Sequence, residues 1–118
     1  MTATWTVYGL KTCDTCRKAR TWLEGAGIAH RFVDLRAEPV AVDEIARWVG
    51  IAGEGLLNRR GTTWRGLSDE EKARADAPGG VAALCAAYPA LIKRPVFVRG
   101  DAVLTGFTDP IRDALGTG

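Results

Sequence analysis

Cysteine is scarce in this chain, with three in 118 residues. An odd number at that density argues against a disulfide-stapled secreted scaffold. Long hydrophobic runs are missing too. No stretch approaches the roughly 18 apolar residues that a membrane span needs. The opening, "MTATWTVYG", lacks a basic stretch followed by an apolar one, so no signal peptide is expected and the cytoplasm is the expected compartment. Charge bias is small. Sixteen Lys and Arg against fourteen Asp and Glu give a net charge of +2, too little to argue for direct nucleic-acid binding, so functional positive charge must be local. Internal repeats and low-complexity tracts are absent as well. What remains is ordinary globular composition, 47 % hydrophobic and 25 % charged, in a length that suits one domain over residues 1–118.

The chain reads as two αβ ends around a helical middle. "TWTVYGL" (4–10) is short and rich in β-branched and aromatic residues, which predicts a strand. From Asp14 the period changes: Ala19, Trp22, Leu23 and Ala26 share one helical face, and Gly27 supplies the stop. "IAHRFVDL" (28–35) returns to strand character, so the two strands should lie parallel across a helical crossover. A helical insert is expected from about 37 to 90. In it, "VDEIARWVG" places Val42, Ile45, Ala46 and Val49 on one face and ends at Gly50. "GLLNRRGTTWRGL" has no helical stripe and reads as a loop. Ser68 and Glu71 form a capping box. Val81, Leu84, Cys85 and Tyr88 make a second face, stopped by Pro89. "PVFVRGDAVLTGF" predicts a hairpin turning at Gly100. "TDPIRDAL" starts a last helix with Asp109 as N-cap and Pro110 first inside. The order βαβ, insert, ββα predicts an α/β, thioredoxin-like fold.

Two of the three cysteines sit in "YGLKTCDTCRKAR" (8–20), at the first strand-to-helix junction. Cys13 at a helix N-terminus meets unpaired backbone N–H groups and the positive end of the macrodipole, which favour a thiolate. Lys11 and Arg17 add positive charge, and the adjacent Asp14 opposes it. For a thiol in general, a fall of about two pKa units raises the thiolate fraction at pH 7 from roughly 3 % to roughly 75 % but lowers intrinsic nucleophilicity, leaving about a threefold gain in rate. The basic surroundings therefore bear on substrate choice as much as on activation. Cys16, one turn on, suits a resolving thiol that closes a disulfide with Cys13, or a partner in a reversible oxidation sensor. A lone CxxC is also half of a zinc site, but His30 and Cys85 do not supply a second pair, and no metal is expected. Cys85, on an apolar helical face, is expected to pack as a buried free thiol.

Two further segments draw attention. In "IKRPV" (92–96) Pro95 opens a strand, a position at which a thioredoxin-like fold places a cis-proline facing the cysteine motif. Arg94 would then point towards Cys13, with a planar guanidinium suited to an oxyanion or carboxylate. In "LLNRRGTTWR" (56–65), Arg59, Arg60 and Arg65 sit in a Gly/Thr-containing loop, either as a functional cluster or as a solvated basic surface. Trp64 is expected to pack.

Taken together, "YGLKTCDTCRKARTWLEGAGI", "LLNRRGTTWR", "LIKRPV" and "GFTDP" resemble, in this order and over nearly the whole chain, the arsenate reductase-like family, the ArsC/Spx branch of the thioredoxin superfamily. The resemblance implies a thioredoxin-like fold with a helical insert and Cys13 as the reactive cysteine. In arsenate-reducing members the cysteine attacks arsenate, and glutathione with glutaredoxin removes the product as a mixed disulfide. Of the three arginines that bind the oxyanion there, Arg94 corresponds to one; Asn58 and Gly106 stand at the other two positions, with Arg59 and Arg60 beside Asn58. Spx-type members are instead transcriptional regulators that bind the RNA polymerase α C-terminal domain through a CxxC disulfide switch, and Cys13, Cys16 and Arg60 resemble that branch too.

The expectation is a monomeric thiol-dependent reductase with no bound cofactor and glutathione as co-substrate, working with glutathione or glutaredoxin. Cys13, Cys16 and Arg94 form its catalytic set, and Lys11, Asn58, Arg59, Arg60 and Pro95 are its substrate-binding candidates. The alternative is the redox-switched polymerase-binding regulator.

Overall fold

The computed structural model describes residues 4–117. Its elements in chain order are β1 (Trp5–Gly9), α1 (Asp14–Gly25), β2 (His30–Asp34), α2 (Val42–Ala52), α3 (Thr62–Arg65), α4 (Asp69–Ala73), α5 (Gly80–Ala87), β3 (Val96–Arg99), β4 (Ala102–Thr105) and α6 (Asp109–Thr117), with short 3-10 turns at Glu54–Leu56, Arg74–Asp76 and Pro89–Leu91. The chain divides into two compact units, one from its two ends (Met1–Glu38 and Arg94–Gly118) and one from Pro39–Lys93. The second corresponds to the helical insert read from the sequence at about 37–90.

In the first unit a four-stranded mixed sheet runs in the order β2-β1-β3-β4. The parallel pair β1–β2 is the βαβ crossover, and β1–β3 and β3–β4 are antiparallel. This is the α/β, thioredoxin-like arrangement the sequence predicts. Alternation along β1 buries Trp5, Val7 and Gly9. Trp5 and Val7 meet Ala19 and Leu23 of α1, Phe97 of β3 and Leu115 of α6 in one apolar cluster. Burying a side chain such as Leu23 contributes about 1.5–3 kcal/mol, and the cluster fixes α1 against the strand from which it springs. Trp22 packs edge-on against Phe107 with ring centroids 5.9 Å apart. Ala26 is exposed rather than part of the buried face, because α1 ends before it, and Gly27 turns the chain at φ +69°. Gly100 turns the β3–β4 hairpin at φ +60°. The last helix starts one residue earlier than expected: Asp109 is its first residue rather than its cap, an acidic group in the first turn, where the helix dipole favours it.

The second unit is helical. α2 runs through Gly50, the expected stop, and ends at Gly53, whose φ of +82° suits only glycine. Its buried residues are Ile45 and Trp48, while Val42 and Ala46 are exposed. Ile45 lies on the buried face as expected, and the indole of Trp48, three positions on, takes the place expected for Val42 and Ala46. The segment expected as loop contains a 3-10 turn and α3. Leu56 and Leu57 are buried, and the segment is pinned by the Asn58 N–H donating to Leu91 O at 2.7 Å and the Lys93 N–H to Leu56 O at 2.7 Å. The capping box at Ser68 and Glu71 is formed. On α5, Val81, Leu84 and Cys85 are buried, but Tyr88 is exposed and donates its hydroxyl to Glu71 Oε2. Among the described residues no helix is long and apolar enough to cross a membrane.

Candidate functional site

The junction between β1 and α1 is built by backbone bonds. The Cys13 N–H donates to Leu10 O at 3.1 Å, closing a turn, and the Arg17 N–H to Cys13 O at 3.0 Å opens the helix. Cys13 is the N-cap, with extended backbone, and sits half-buried at the helix tip. The turn before it is tied to the end of β2. Asp34 Oδ2 accepts from the Lys11 N–H at 3.2 Å, and Asp34 Oδ1 from the Arg36 N–H at 2.8 Å. The sequence reading missed Asp34; an acid at a strand end just after the CxxC crossover is the signal that could have found it.

The two thiols of the pair are driven apart. For Cys13 the largest single effect is burial, which raises the pKa. It is outweighed by the Cys16 backbone N–H, the Cys16 thiol and the Arg94 guanidinium, the last acting through a hydrogen bond and through its charge. The net result lies below the ordinary thiol value of 9.0. Cys16 is fully buried, and burial pushes its thiol up to about 11; the Leu10 backbone opposes this, and the hydrogen bond and charge of Cys13 reinforce it. Both thiols are free. Arg94 precedes a cis peptide bond to the buried Pro95. The Pro95 carbonyl accepts from the Gly106 N–H at 2.9 Å.

The positive charge at Cys13 comes from a different source than the local sequence suggested. Arg17 is paired with Asp14 one turn away, and the Lys11 charge acts on Asp34. Arg20 lies over the Phe32 ring at 4.3 Å. Arg94, from the far end of the chain, is the cation that acts on both thiols. His30 lies in β2 with Nδ1 2.8 Å from the Ile28 carbonyl. Among the described residues no group of three or more His, Cys, Asp and Glu is placed to hold a metal ion.

The remaining candidates lie in the second unit. Asn58, Arg59 and Arg60 line a cleft of about 450 Å³ with Glu54 and Lys93. Asn58 Oδ1 accepts from the Arg60 N–H at 3.0 Å, and Arg65 donates to the Arg60 carbonyl at 2.7 Å. Arg59 is 3.6 Å from Glu54 and lies over Trp64 at 5.2 Å, so Trp64 is a platform for a cation rather than a core residue. Cys85 is buried in this unit, and burial pushes its thiol up to about 12.

Comparison with known proteins places this chain in company. The ArsC family profile matches residues 8–112. The structure of the YFFB protein is 39 % identical, with a TM-score of 0.86 over 95 % of this chain and 98 % of that one. An arsenate reductase-related protein from Brucella melitensis is 36 % identical, with a TM-score of 0.76 over 97 % and 95 %. An uncharacterised protein from Haemophilus influenzae is 36 % identical over 88 % of this chain and 91 % of its own length. The global transcriptional regulator Spx of Listeria innocua is more distant, at 27 % over 93 % and 86 %.

Proposed function

The chain belongs to the ArsC family, and from that premise we propose that it is a thiol-dependent reductase with Cys13 as nucleophile. The observation that carries the reading is the asymmetry of the cysteine pair: a half-exposed thiol held below its ordinary pKa beside Arg94, next to a fully buried thiol pushed up to about 11. Such a pair has one attacking sulfur and one that is withheld. Arg94 offers a bidentate cation for an anionic substrate, either a glutathione-type disulfide or an oxyanion such as arsenate. Pro95, joined to Arg94 by the cis bond, and Lys11 are further candidates in the first unit, and Asn58, Arg59 and Arg60 are separate anion-binding candidates in the second.

On a mixed disulfide, the Cys13 thiolate attacks the glutathione sulfur. The substrate thiolate leaves, and Cys13 carries the glutathione. A second glutathione thiolate then attacks the glutathione sulfur of that adduct, releasing glutathione disulfide and the Cys13 thiolate; where a glutaredoxin thiolate attacks instead, the glutathione passes to glutaredoxin as a mixed disulfide and the Cys13 thiolate leaves. Alternatively, the Cys16 thiolate attacks Cys13 Sγ, expelling glutathione thiolate and closing the Cys13–Cys16 disulfide. Adduct formation removes the Cys13 charge that helps to hold Cys16 protonated, but the larger effect of burial persists. This favours external glutathione as the resolving thiol in a reducing cytoplasm. The expected result with oxidised glutathione is a single adduct on Cys13 by mass spectrometry, and no turnover by Cys13→Ser. Full reductase activity in Cys13→Ser would end the proposal.

The likeness to Spx supports a second reading, in which the same pair is a redox switch for binding the polymerase α C-terminal domain. Capture of that domain by wild type, with a difference between oxidised and reduced protein that Cys13→Ser abolishes, would favour it; no capture in either state would remove it.

A further inference from the structure

Gly9 closes β1, one residue before the turn that leads to the cysteine pair. Five glycines among the described residues have positive φ, and Gly9 is not one of them. Its backbone is ordinary strand, so conformation does not call for glycine there. Space does. A Cβ built on Gly9 would lie 2.5 Å from Cys16 Sγ, 3.4 Å from Cys16 Cβ and 3.3 Å from Phe32 Cε1. Real Cβ atoms do not approach a sulfur so closely. The strand is poorly placed to yield: Gly9 is in register with Asp34 of β2, and its carbonyl accepts from the Leu35 N–H at 2.8 Å. Phe32 is hemmed in by Arg20 over its ring. The sulfur is the group that would have to move. In the native arrangement that same Cys16 thiol, with no exposed surface, is hydrogen-bonded to Cys13.

We propose that Gly9 is a positioning residue for Cys13: the space left by its missing side chain is the seat of the Cys16 sulfur, and that seat keeps the Cys16 thiol aimed at the Cys13 sulfur. Glycine inside a strand ordinarily weakens it and marks a close approach by another group; here the approaching group is part of the cysteine pair. The proposal rests on Cys13 being the reactive thiol, but its test reads the thiol and not a reaction.

The experiment is a double-mutant cycle with Gly9→Ala and Cys16→Ala, read by the pH dependence of Cys13 alkylation with iodoacetamide and localised by mass spectrometry. In Gly9→Ala the displaced Cys16 thiol no longer supports the Cys13 thiolate, so the alkylation curve moves to higher pH and the rate near neutral pH falls by up to about threefold. Cys16→Ala moves the curve in the same direction. Adding Gly9→Ala to Cys16→Ala changes nothing further, because the methyl then occupies the vacated seat. Gly25→Ala, which meets nothing within 4 Å, leaves the curve in place. An unmoved curve in Gly9→Ala, or a shift that persists undiminished in the Cys16→Ala background, overturns the proposal. If Gly9→Ala alone does not fold, recovery of cooperative unfolding by adding Cys16→Ala supports the seat, and failure of both overturns it. An ordinary wild-type alkylation midpoint would count against Cys13 as the reactive thiol, and the seat would then be judged by the same cycle on urea stability.

Discussion

Cys13 and Cys16 are chemically identical side chains three positions apart in one chain, and their surroundings divide them. Burial penalises the charged form of both. At Cys13 it is only partial, and polar donors overcome it; at Cys16 it is complete and dominates. The Cys16 backbone N–H and thiol are the larger supports of the Cys13 thiolate, and Arg94 adds to them by hydrogen bond and by charge. Arg94→Ala is therefore expected to move the pH dependence of Cys13 alkylation towards higher pH and to slow the reaction near neutrality by up to about threefold, because the smaller thiolate fraction is partly offset by the greater nucleophilicity of a more basic thiolate. The sign follows from ionisation: the thiolate reacts, so the rate rises as pH passes the thiol's pKa, and raising that pKa displaces the rise upwards. Arg94→Lys keeps a point charge and recovers part of the rate. An alkylation curve unchanged in Arg94→Ala would show that the helix tip and the Cys16 thiol activate Cys13 without Arg94. The place of Arg94 was legible because a proline after a basic residue, at the start of a late strand, marks the bond that faces the cysteine motif in this fold. The fates of Lys11 and Arg17 were not. Nearness in sequence suggested that both serve Cys13, whereas each has an acidic neighbour that engages it first, Asp34 and Asp14.

At the scale of elements, the sequence was clearest where periodicity and turn chemistry agreed. β1 and α1 each have one buried face, and the hairpin is marked by its turn at Gly100, so local preference and tertiary burial point the same way there. α2 was harder, because Gly50 looks like a terminator. The helix continues beyond it, since Gly53 takes the left-handed conformation instead. Gly50 is then a glycine in a helix interior, exposed, with nothing within 4 Å of a Cβ placed on it. Gly50→Ala is expected to raise stability by about 0.5–1 kcal/mol, through the lower conformational freedom of alanine in the unfolded chain and its better helix propensity. A urea titration with unchanged m-value and a higher midpoint would confirm it; a lower midpoint would show that the helix needs glycine there. The segment at 54–65 escaped the sequence reading for a related reason. A 3-10 turn and a four-residue helix are too short to carry a stripe; Leu56 and Asn58 are tied by backbone bonds to residues more than thirty positions later, and α3 is closed by local bonds.

Across the whole molecule, the buried thiols tie stability to alkaline pH. Each compact unit holds one: Cys16 in the first, pushed up to about 11, and Cys85 in the second, pushed up to about 12. In the unfolded chain both return to the ordinary value near 9.0. Between pH 9 and those raised values the native state keeps protons that the unfolded state has released, so stability falls as pH rises, by up to about 1.4 kcal/mol per pH unit for each proton. Below pH 9 the contribution is fully present. Cys13 works in the opposite sense. Its lowered pKa adds stability above the unfolded value, which is lost as pH falls through the native one. Lysines and tyrosines also titrate in alkali, so the informative measurement is a comparison between variants under reducing conditions. Cys85→Ala should start below wild type at pH 8, because it leaves a hole among buried side chains, and then lose stability less steeply between pH 9 and 11, so that the two curves converge. Curves that stay parallel over that range would mean that Cys85 ionises in the native protein as readily as in the unfolded chain, and that its burial does not hold its proton.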